Sequence, residues 1–298
     1  MNSTMRSLLL QELCPDGIWQ LSDPIKSILR RQISNLPMGN VPKDEIRYPK
    51  SPAAMRVYLI RFFSRHYFQT QNSLFKYITS QDFYNTIRLG RLRILEVGSG
   101  PAITSLAITD MLVRLLEHLE DIGEWPKGKK VKVDYILNDT CSLCLGTGKD
   151  MLANYFQNHH GYNRKVVRGQ IISMQKDFPD NLKQLQRIRF NIGKYDITTF
   201  SHAILPMIEG KGFKNIVLGL FNVEKLCNFN GRILILEDRF RAEPVQQISR
   251  AIGISYNFEK IVQQIYPKRN MSEIFTYSHY SSLYIPTQKM MMRQNSVA

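Results

Sequence analysis

The stretch EVGSGPA, residues 96–102, joins an acid to small residues at alternating positions and is the strongest candidate for chemistry in this 298-residue chain. Gly98 and Gly100 can adopt backbone conformations that are closed to residues with a Cβ, and they let a ligand approach the main chain. Glu96 supplies a carboxylate just before the loop. The pattern predicts either a tight turn that binds a nucleotide-like ligand or a packing loop between two elements.

Two ligand classes compete for this loop. A dinucleotide site requires the spacing G-x-G-x-x-G, with a helix N-terminus facing the pyrophosphate. Here the third glycine position holds Ile103. The observed spacing is acid-x-Gly-x-Gly-x-small and ends at Ala102. A carboxylate beside the loop suits a cationic amino-acid cofactor and would repel a pyrophosphate.

Strand-like and helix-like segments alternate from residue 91 onward, so the loop lies between a predicted strand and a predicted helix. Strands separated by helices imply parallel crossovers, and the chain therefore predicts an α/β fold with a doubly wound, mostly parallel sheet. In such sheets, ligands bind at the carboxyl ends of the strands. The predicted strands are RLRILEV, KVKVDYILND, RIRFNIGKYD, FKNIVLGLFN, GRILILED and FTYSHYSSLYIP. The stretch near residues 160–186 is basic and poorly patterned.

Two further acids follow predicted strands. Asp139 ends the second strand, and Asp196 ends the third. The loop and these acids together resemble the cofactor site of the class I S-adenosylmethionine-dependent methyltransferases, whose motif I has this acid-and-glycine pattern. The alternative is that each acid caps a helix or remains a solvated loop charge.

This resemblance implies a Rossmann-like fold and S-adenosyl-L-methionine as the cofactor. It implies that Asp139 accepts hydrogen bonds from both ribose hydroxyls, and that Asp196 meets the adenine amino group. The residues expected to bind the cofactor are Glu96, Gly98, Ser99, Gly100, Ala102, Asp139 and Asp196.

Residues that could act on an acceptor are hard to identify. Base-amine methyltransferases carry an Asn/Asp-Pro-Pro-aromatic run after the fourth strand, and the corresponding stretch GLFNVEKL lacks prolines. Asn222 and Glu224 are the polar groups best placed to orient or deprotonate an acceptor, and the alternative is that they cap a helix. Cys141 and Cys144 form an isolated C-x-x-C, which predicts packing on a helix face and no metal site.

The net charge of the chain indicates which classes of molecule it could bind. Lys and Arg number 40 against 25 Asp and Glu, a net charge of +15, which favours contact with anions such as RNA or merely aids solubility. No apolar run approaches the ~18 residues that span a bilayer. We therefore expect a cytoplasmic methyltransferase acting on a small molecule or metabolite. The alternatives are an RNA methyltransferase, for rRNA or tRNA, and a non-catalytic interaction protein with a methyltransferase fold.

Three regions follow from the pattern: a helical N-terminal extension over residues 1–90, a methyltransferase domain over residues 91–285 and a tail over residues 286–298. The extension is expected to act as a lid over the acceptor site. Its arginines at positions 56, 61 and 65 are interleaved with aromatic residues, which predicts either RNA contacts or a packed core.

Overall fold

A seven-stranded mixed sheet runs through the part of the chain that the structure describes. The structure is a computed structural model and describes residues 3–158, 167–238, 242–255, 257–264 and 274–286. The predicted C-terminal tail therefore lies outside the described residues, apart from its first residue.

The strand order is β3-β2-β1-β4-β5-β7-β6. Strands β1 to β5 pair in parallel, whereas β7 is antiparallel to both β5 and β6. This order confirms the predicted α/β, doubly wound, class I methyltransferase (Rossmann-like) fold. The strands are β1 (Arg91–Val97), β2 (Val131–Asp139), β3 (Val167–Gln175), β4 (Tyr195–Ser201), β5 (Cys227–Asp238), β6 (Asn257–Gln264) and β7 (Ile274–Tyr284).

Helices cover both faces of the sheet. Successive side chains of a strand point to opposite faces. Ile94 belongs to the buried cluster that includes residues of α1 to α6, whereas Leu95 belongs to the cluster that includes residues of α7 to α10. The helices are α1 (Ser3–Leu13), α2 (Asp23–Asn35), α3 (Pro52–Ile78), α4 (Gln81–Arg88), α5 (Ile103–Asp121), α6 (Ser142–Asn158), α7 (Leu182–Ile192), α8 (Ile204–Lys211), α9 (Phe213–Glu224) and α10 (Ala242–Ile252).

Two strand predictions were wrong, and three strands were missed. Residues 213–222, predicted as the fourth strand, lie in α9, because a short apolar run does not distinguish a buried strand from a buried helix. Most of the predicted third strand, residues 187–196, belongs to α7 and the turn after it. The missed strands are β3, whose residues are largely exposed, β4, of which the prediction included only the first two residues, and the edge strand β6.

The N-terminal helices share one hydrophobic core with the sheet. Leu9 of α1, Ile28 of α2 and Phe63 of α3 are buried in the same cluster as Leu112 of α5. The N–H of Trp19 also donates to the carbonyl oxygen of Val262 at 3.0 Å, which attaches the segment between α1 and α2 to edge strand β6. The predicted helical extension is confirmed, and its helices form a fixed layer of the fold.

A buried carboxylate fastens this layer. Asp110 of α5 accepts hydrogen bonds from Ser22, Tyr67 and Tyr155, at 2.8–3.1 Å. It also forms an ion pair with Arg114, whose Nε lies 3.1 Å from Asp110 Oδ2. One side chain thereby connects the N-terminus of α2 with α3, α5 and α6. Among the described helices, none is long and apolar enough to cross a membrane.

Candidate functional site

The loop after β1 is a tight turn with left-handed backbone conformations. Gly98 and Gly100 have φ angles of +66° and +51°, and Ala102, the residue before α5, has a φ of +56°. The N–H of Ser99 donates to the carbonyl oxygen of Asn138 at 2.8 Å, which holds the loop against the end of β2. Residues with a Cβ rarely adopt such conformations, so the glycines are required by the turn itself.

The two glycines face different surroundings. A Cβ on Gly98 would lie 2.4 Å from the Cβ of Ala203, so this position is closed by the segment that follows β4. A Cβ on Gly100 would meet nothing nearer than Tyr58 Oη at 3.8 Å. Gly98 therefore serves close packing between loops, whereas Gly100 leaves space in front of the main chain.

Asp139 lies at the end of β2 beside this loop. Its carboxylate accepts the N–H of Gly100 at 2.7 Å and the N–H of Cys141 at 2.8 Å. Burial raises the pKa of the carboxyl group, and the hydrogen bonds from the backbone oppose that rise. A carboxylate held by two backbone donors keeps a fixed orientation, with further lone pairs available to a ligand.

Glu96 does not contribute to the cavity wall. Its carboxylate turns toward the first turn of α5, where the backbone N–H of Ser105 donates to it at 3.0 Å and the Ser105 hydroxyl donates as well. Burial raises the pKa of Glu96 to about 7. The expectation that this acid faces the cofactor is corrected: it caps α5 from within. Ser99 and Ala102 also shape the turn without being among the residues that line the cavity.

Asp196 lies at the wrong end of its strand for the role that the resemblance implied. It is the second residue of β4, where its carboxylate accepts the N–H of Arg93 at 2.8 Å. The carboxyl end of β4 is five residues further on, or about 16 Å at the rise of a strand. The prediction was wrong because most of the residues predicted to form the third strand lie in α7 and in the turn after it.

Asp177 occupies the position that Asp196 was expected to fill. It follows the end of β3 by two residues and lines the cavity. Its carboxylate pairs with Lys211, whose Nζ lies 3.1 Å from Asp177 Oδ2. The signal was present in the sequence as an acid in the turn-forming stretch KDFPDN, but the strand before it was not recognised.

Neither catalytic candidate lies at the cavity. Asn222 and Glu224 belong to the last turn of α9, and the cavity wall includes neither of them. Asn222 Oδ1 accepts a hydrogen bond from Lys225 Nζ at 3.2 Å. Glu224 is buried, and burial raises its pKa to about 7. The structure therefore corrects their placement, because the predicted fourth strand before them is a helix.

The cavity itself lies along the carboxyl ends of the parallel strands. It has a volume of about 610 Å³, within the range of about 300–1,000 Å³ that is usual for small-molecule sites. Its wall includes residues after β1, β2, β3, β4 and β5, together with α3, α8 and the segment 47–50. Cys141 and Cys144 line it, and Cys141 Sγ lies 3.4 Å from both the Pro49 carbonyl oxygen and the Cys144 N.

A cluster of aromatic and polar side chains forms the wall beneath α3. Tyr58, Phe62 and His66 are four residues apart and therefore share one face of the helix. The imidazoles of His66 and His202 stack with a centroid distance of 4.0 Å and an interplanar angle of 18°. His202 follows β4 with a φ of +55°, a conformation that is unfavourable for a residue with a Cβ.

Hydrogen bonds and charges hold this cluster in place. His202 Nε2 lies 2.9 Å from Gln69 Oε1, and His202 Nδ1 lies 3.6 Å from Asp238 Oδ1 at the end of β5. The guanidinium of Arg65 pairs with Asp238. Prediction from sequence missed His66, His202 and Asp238, because three elements distant in the chain bring them together.

Three cations also border the cavity. Arg47, Lys50 and Lys176 line it, and no hydrogen bond or ion pair joins their side chains to another described residue. Two of the three arginines proposed for an RNA-binding face are engaged elsewhere. Arg56 donates to the carbonyl oxygen of Leu36 at 2.8 Å, and Arg65 pairs with Asp238.

Comparison with known proteins adds solved structures of similar fold. No protein-family model matches the chain, and no curated protein matches it. Precorrin-6y C5,15-methyltransferase of Geobacter metallireducens is 11% identical, with a TM-score of 0.39 over 70% of this chain and 89% of that chain. An arsenic(III) S-adenosylmethionine methyltransferase of Chlamydomonas reinhardtii is 14% identical, with a TM-score of 0.36 over 65% and 63%.

A third similar structure is a proposed RNA methyltransferase of Pyrococcus horikoshii. It is 8% identical to this chain, with a TM-score of 0.37, and the match covers 89% of this chain and 98% of that chain. The fold follows from the strand order of this chain, and the candidate site follows from its own geometry.

Proposed function

We propose that this chain is an S-adenosylmethionine-dependent methyltransferase whose acceptor is a small molecule or metabolite. The observation that carries the proposal is the position of the cavity, which joins the open Gly100 turn and the Asp139 carboxylate at the carboxyl ends of neighbouring parallel strands. Ligands of doubly wound sheets bind at this edge. The cofactor would supply a methyl group on a positively charged sulfur.

The residues present fit such a cofactor. Each oxygen of Asp139 already accepts one backbone N–H, and a carboxylate has about four acceptor sites, so two remain for the ribose hydroxyls. Asp177 takes the role that the resemblance gave to Asp196, acceptance of a hydrogen bond from the adenine amino group. The main chain at Gly98 and Gly100 would border the amino-acid part. These roles are part of the proposal.

The wall beneath α3 suits the acceptor. Methyl transfer requires an acceptor atom held in line with the sulfur–methyl bond, and water kept away from it. The rings of Tyr58, Phe62 and His66 line the cavity and supply both a flat apolar surface and polar atoms. Because α3 is packed into the core, we propose residues 1–90 as a fixed cover and residues 91–285 as the catalytic sheet.

RNA is the second candidate acceptor. It is favoured by the net charge of +15 and by Arg47, Lys50 and Lys176 at the cavity, since unpaired cations bind phosphates. Of the three arginines that were expected to contact RNA, Arg56 and Arg65 contact other groups of the chain, which leaves Arg61. The cytoplasmic location stays a prediction.

A transfer experiment separates these functions. Purified protein is incubated with methyl-labelled S-adenosylmethionine and, separately, with a small-molecule cell extract or with total RNA. Label in the small-molecule pool supports the leading proposal, and label only in RNA replaces the acceptor class. Cofactor binding without transfer to either pool would identify a non-catalytic protein. Asp139→Ala is the variant expected to lose transfer, and Asn222→Ala is the matched control expected to retain it.

A further inference from the structure

A buried imidazole faces the acceptor side of the cavity. His66 lines the cavity and stacks on His202, and its Nδ1 lies 3.4 Å from Tyr58 Oη. The second ring nitrogen, Nε2, has no hydrogen-bond partner among the residues that the structure describes. Because His66 belongs to the cavity wall, this unpartnered ring nitrogen is available to a group that binds there.

We infer that His66 Nε2 accepts the proton that the acceptor atom loses during methyl transfer, an inference that rests on the proposed methyltransferase function. The new bond forms between the acceptor atom and the methyl carbon while the carbon–sulfur bond breaks and its electron pair returns to sulfur. The proton displaced from the acceptor passes to His66. The acceptor is thus an N–H or O–H compound that needs deprotonation.

The surroundings of His66 keep its imidazole neutral, so one ring nitrogen has a free lone pair, and they make the ring a weaker base than an exposed imidazole. Burial lowers its pKa well below the ordinary value, and the neighbouring His202 and Arg65 lower it further, although Asp238 opposes them. A neutral imidazole accepts at one nitrogen only. Nε2 is that nitrogen when Nδ1 carries the hydrogen and donates it to Tyr58 Oη. Tyr58 remains a phenol, since burial raises its pKa.

The groups that face His66 come from three elements. Tyr58 and Arg65 belong to its own helix, α3, whereas His202 follows β4 and Asp238 ends β5. The carboxylate of Asp238 lies between Arg65 and His202, with its Oδ1 3.6 Å from His202 Nδ1. Asp238 therefore orients His202 and Arg65, and through them fixes the plane on which His66 stacks. His202 and Arg65 are therefore positioning residues for His66.

Chemical modification tests the neutral state directly, without a known acceptor. Diethyl pyrocarbonate reacts with neutral imidazoles, and peptide mapping locates the modified ring. His118 is the internal control, because its hydrogen bond with Glu12 raises its pKa. Between about pH 5.5 and about pH 7.5 we expect a nearly constant rate at His66 and a steep rise at His118. An unreactive His66, or one whose rate rises with pH as that of His118 does, overturns the inference.

Turnover supplies the second readout, with whichever pool accepts label. His66→Gln is expected to reduce the transfer rate at least ~100-fold, as loss of a general base does. Its affinity for S-adenosylhomocysteine should stay within about twofold of wild type. His118→Gln is the control with unchanged transfer. Undiminished transfer by His66→Gln overturns the inference alone, whereas wild-type protein that binds no S-adenosylhomocysteine overturns the proposed function.

Discussion

The carboxylate of Asp139 accepts the backbone N–H of Gly100 at 2.7 Å, which ties the end of β2 to the turn after β1. The two residues lie on neighbouring parallel strands, and their contact joins the two parts of the cavity that would bind a nucleoside. The same carboxylate accepts the N–H of Cys141. These two hydrogen bonds within the chain therefore fix the orientation of the Asp139 carboxylate.

Substitution of Asp139 is expected to reduce both cofactor affinity and ligand-free stability. Asp139→Ala would remove the two charge-assisted hydrogen bonds that we propose with the ribose, worth about 2–4 kcal/mol of binding. It also leaves the N–H groups of Gly100 and Cys141 without an acceptor, at a cost of about 1–3 kcal/mol of folding free energy. Urea denaturation measures the second effect. Asp177→Ala, which removes no backbone hydrogen bond, is the control, and equal stability losses in both variants contradict the account.

The two glycines of the turn are expected to respond differently to alanine. Gly98→Ala places a Cβ 2.4 Å from that of Ala203, so it should cost about 1–3 kcal/mol more folding free energy than Gly100→Ala. Gly100→Ala meets only the left-handed backbone cost, about 1–2 kcal/mol. Thermal denaturation of the two variants side by side measures the difference. A Gly98→Ala protein as stable as wild type would show that the loops are not packed as described.

Glu96 is expected to make folding stability depend on pH. Its raised pKa of about 7 means that the fold favours the protonated acid. This contribution is complete below about pH 4.5 and is lost as the pH rises to about 7. Since one pKa unit is worth about 1.4 kcal/mol, the loss is on the order of 3 kcal/mol.

The measurement is urea denaturation across that pH range. Glu96→Gln should reduce the decline by about that amount, because its amide carries no charge at any pH, and the part due to Glu224, whose pKa is also raised to about 7, should remain. The matched control is Glu209→Gln, which changes an exposed glutamate on α8 and should leave the decline unchanged. A decline of the same size in Glu96→Gln and in the wild type assigns it to other groups.

Asp110 is expected to hold the N-terminal layer on the sheet. Asp110→Asn replaces one of the carboxylate oxygens, which accept from Ser22, Tyr67 and Tyr155, and removes the charge that pairs with Arg114. We expect a loss of about 3 kcal/mol of folding free energy, with Asp44→Asn on the exposed turn before α3 as the control. Faster proteolysis within residues 3–35 should accompany it. Unchanged stability would show that the layer is held by apolar contacts alone.

The sequence alone predicted the glycine turn and Asp139 of the candidate site, and it did not predict Asp177, His66 or His202. The glycine turn and Asp139 were recognised because each belongs to a local pattern, a strand followed by a turn and a helix. Asp177 was missed because β3 is largely exposed and lacks the apolar alternation of a half-buried strand. His66 and His202 are far apart in the chain, and only packing of α3 over the sheet makes them neighbours.

Glu96 shows a different limit of prediction. Its position before the glycine turn was correctly tied to the loop, but the side chain points into the first turn of α5. The direction follows from the strand alternation, which places Glu96 and Ile94 on the same face as the helix that the acid caps.

Calorimetric titration with S-adenosylhomocysteine tests the central claim most directly, on wild type, Asp177→Ala and Asp196→Asn. We predict one saturable site in the wild-type protein, at least ~10-fold weaker binding by Asp177→Ala and affinity within about twofold of wild type for Asp196→Asn. That pattern places the adenine end of the site after β3. No binding by the wild type, or a loss confined to Asp196→Asn, would contradict a cofactor site along the carboxyl ends of the strands.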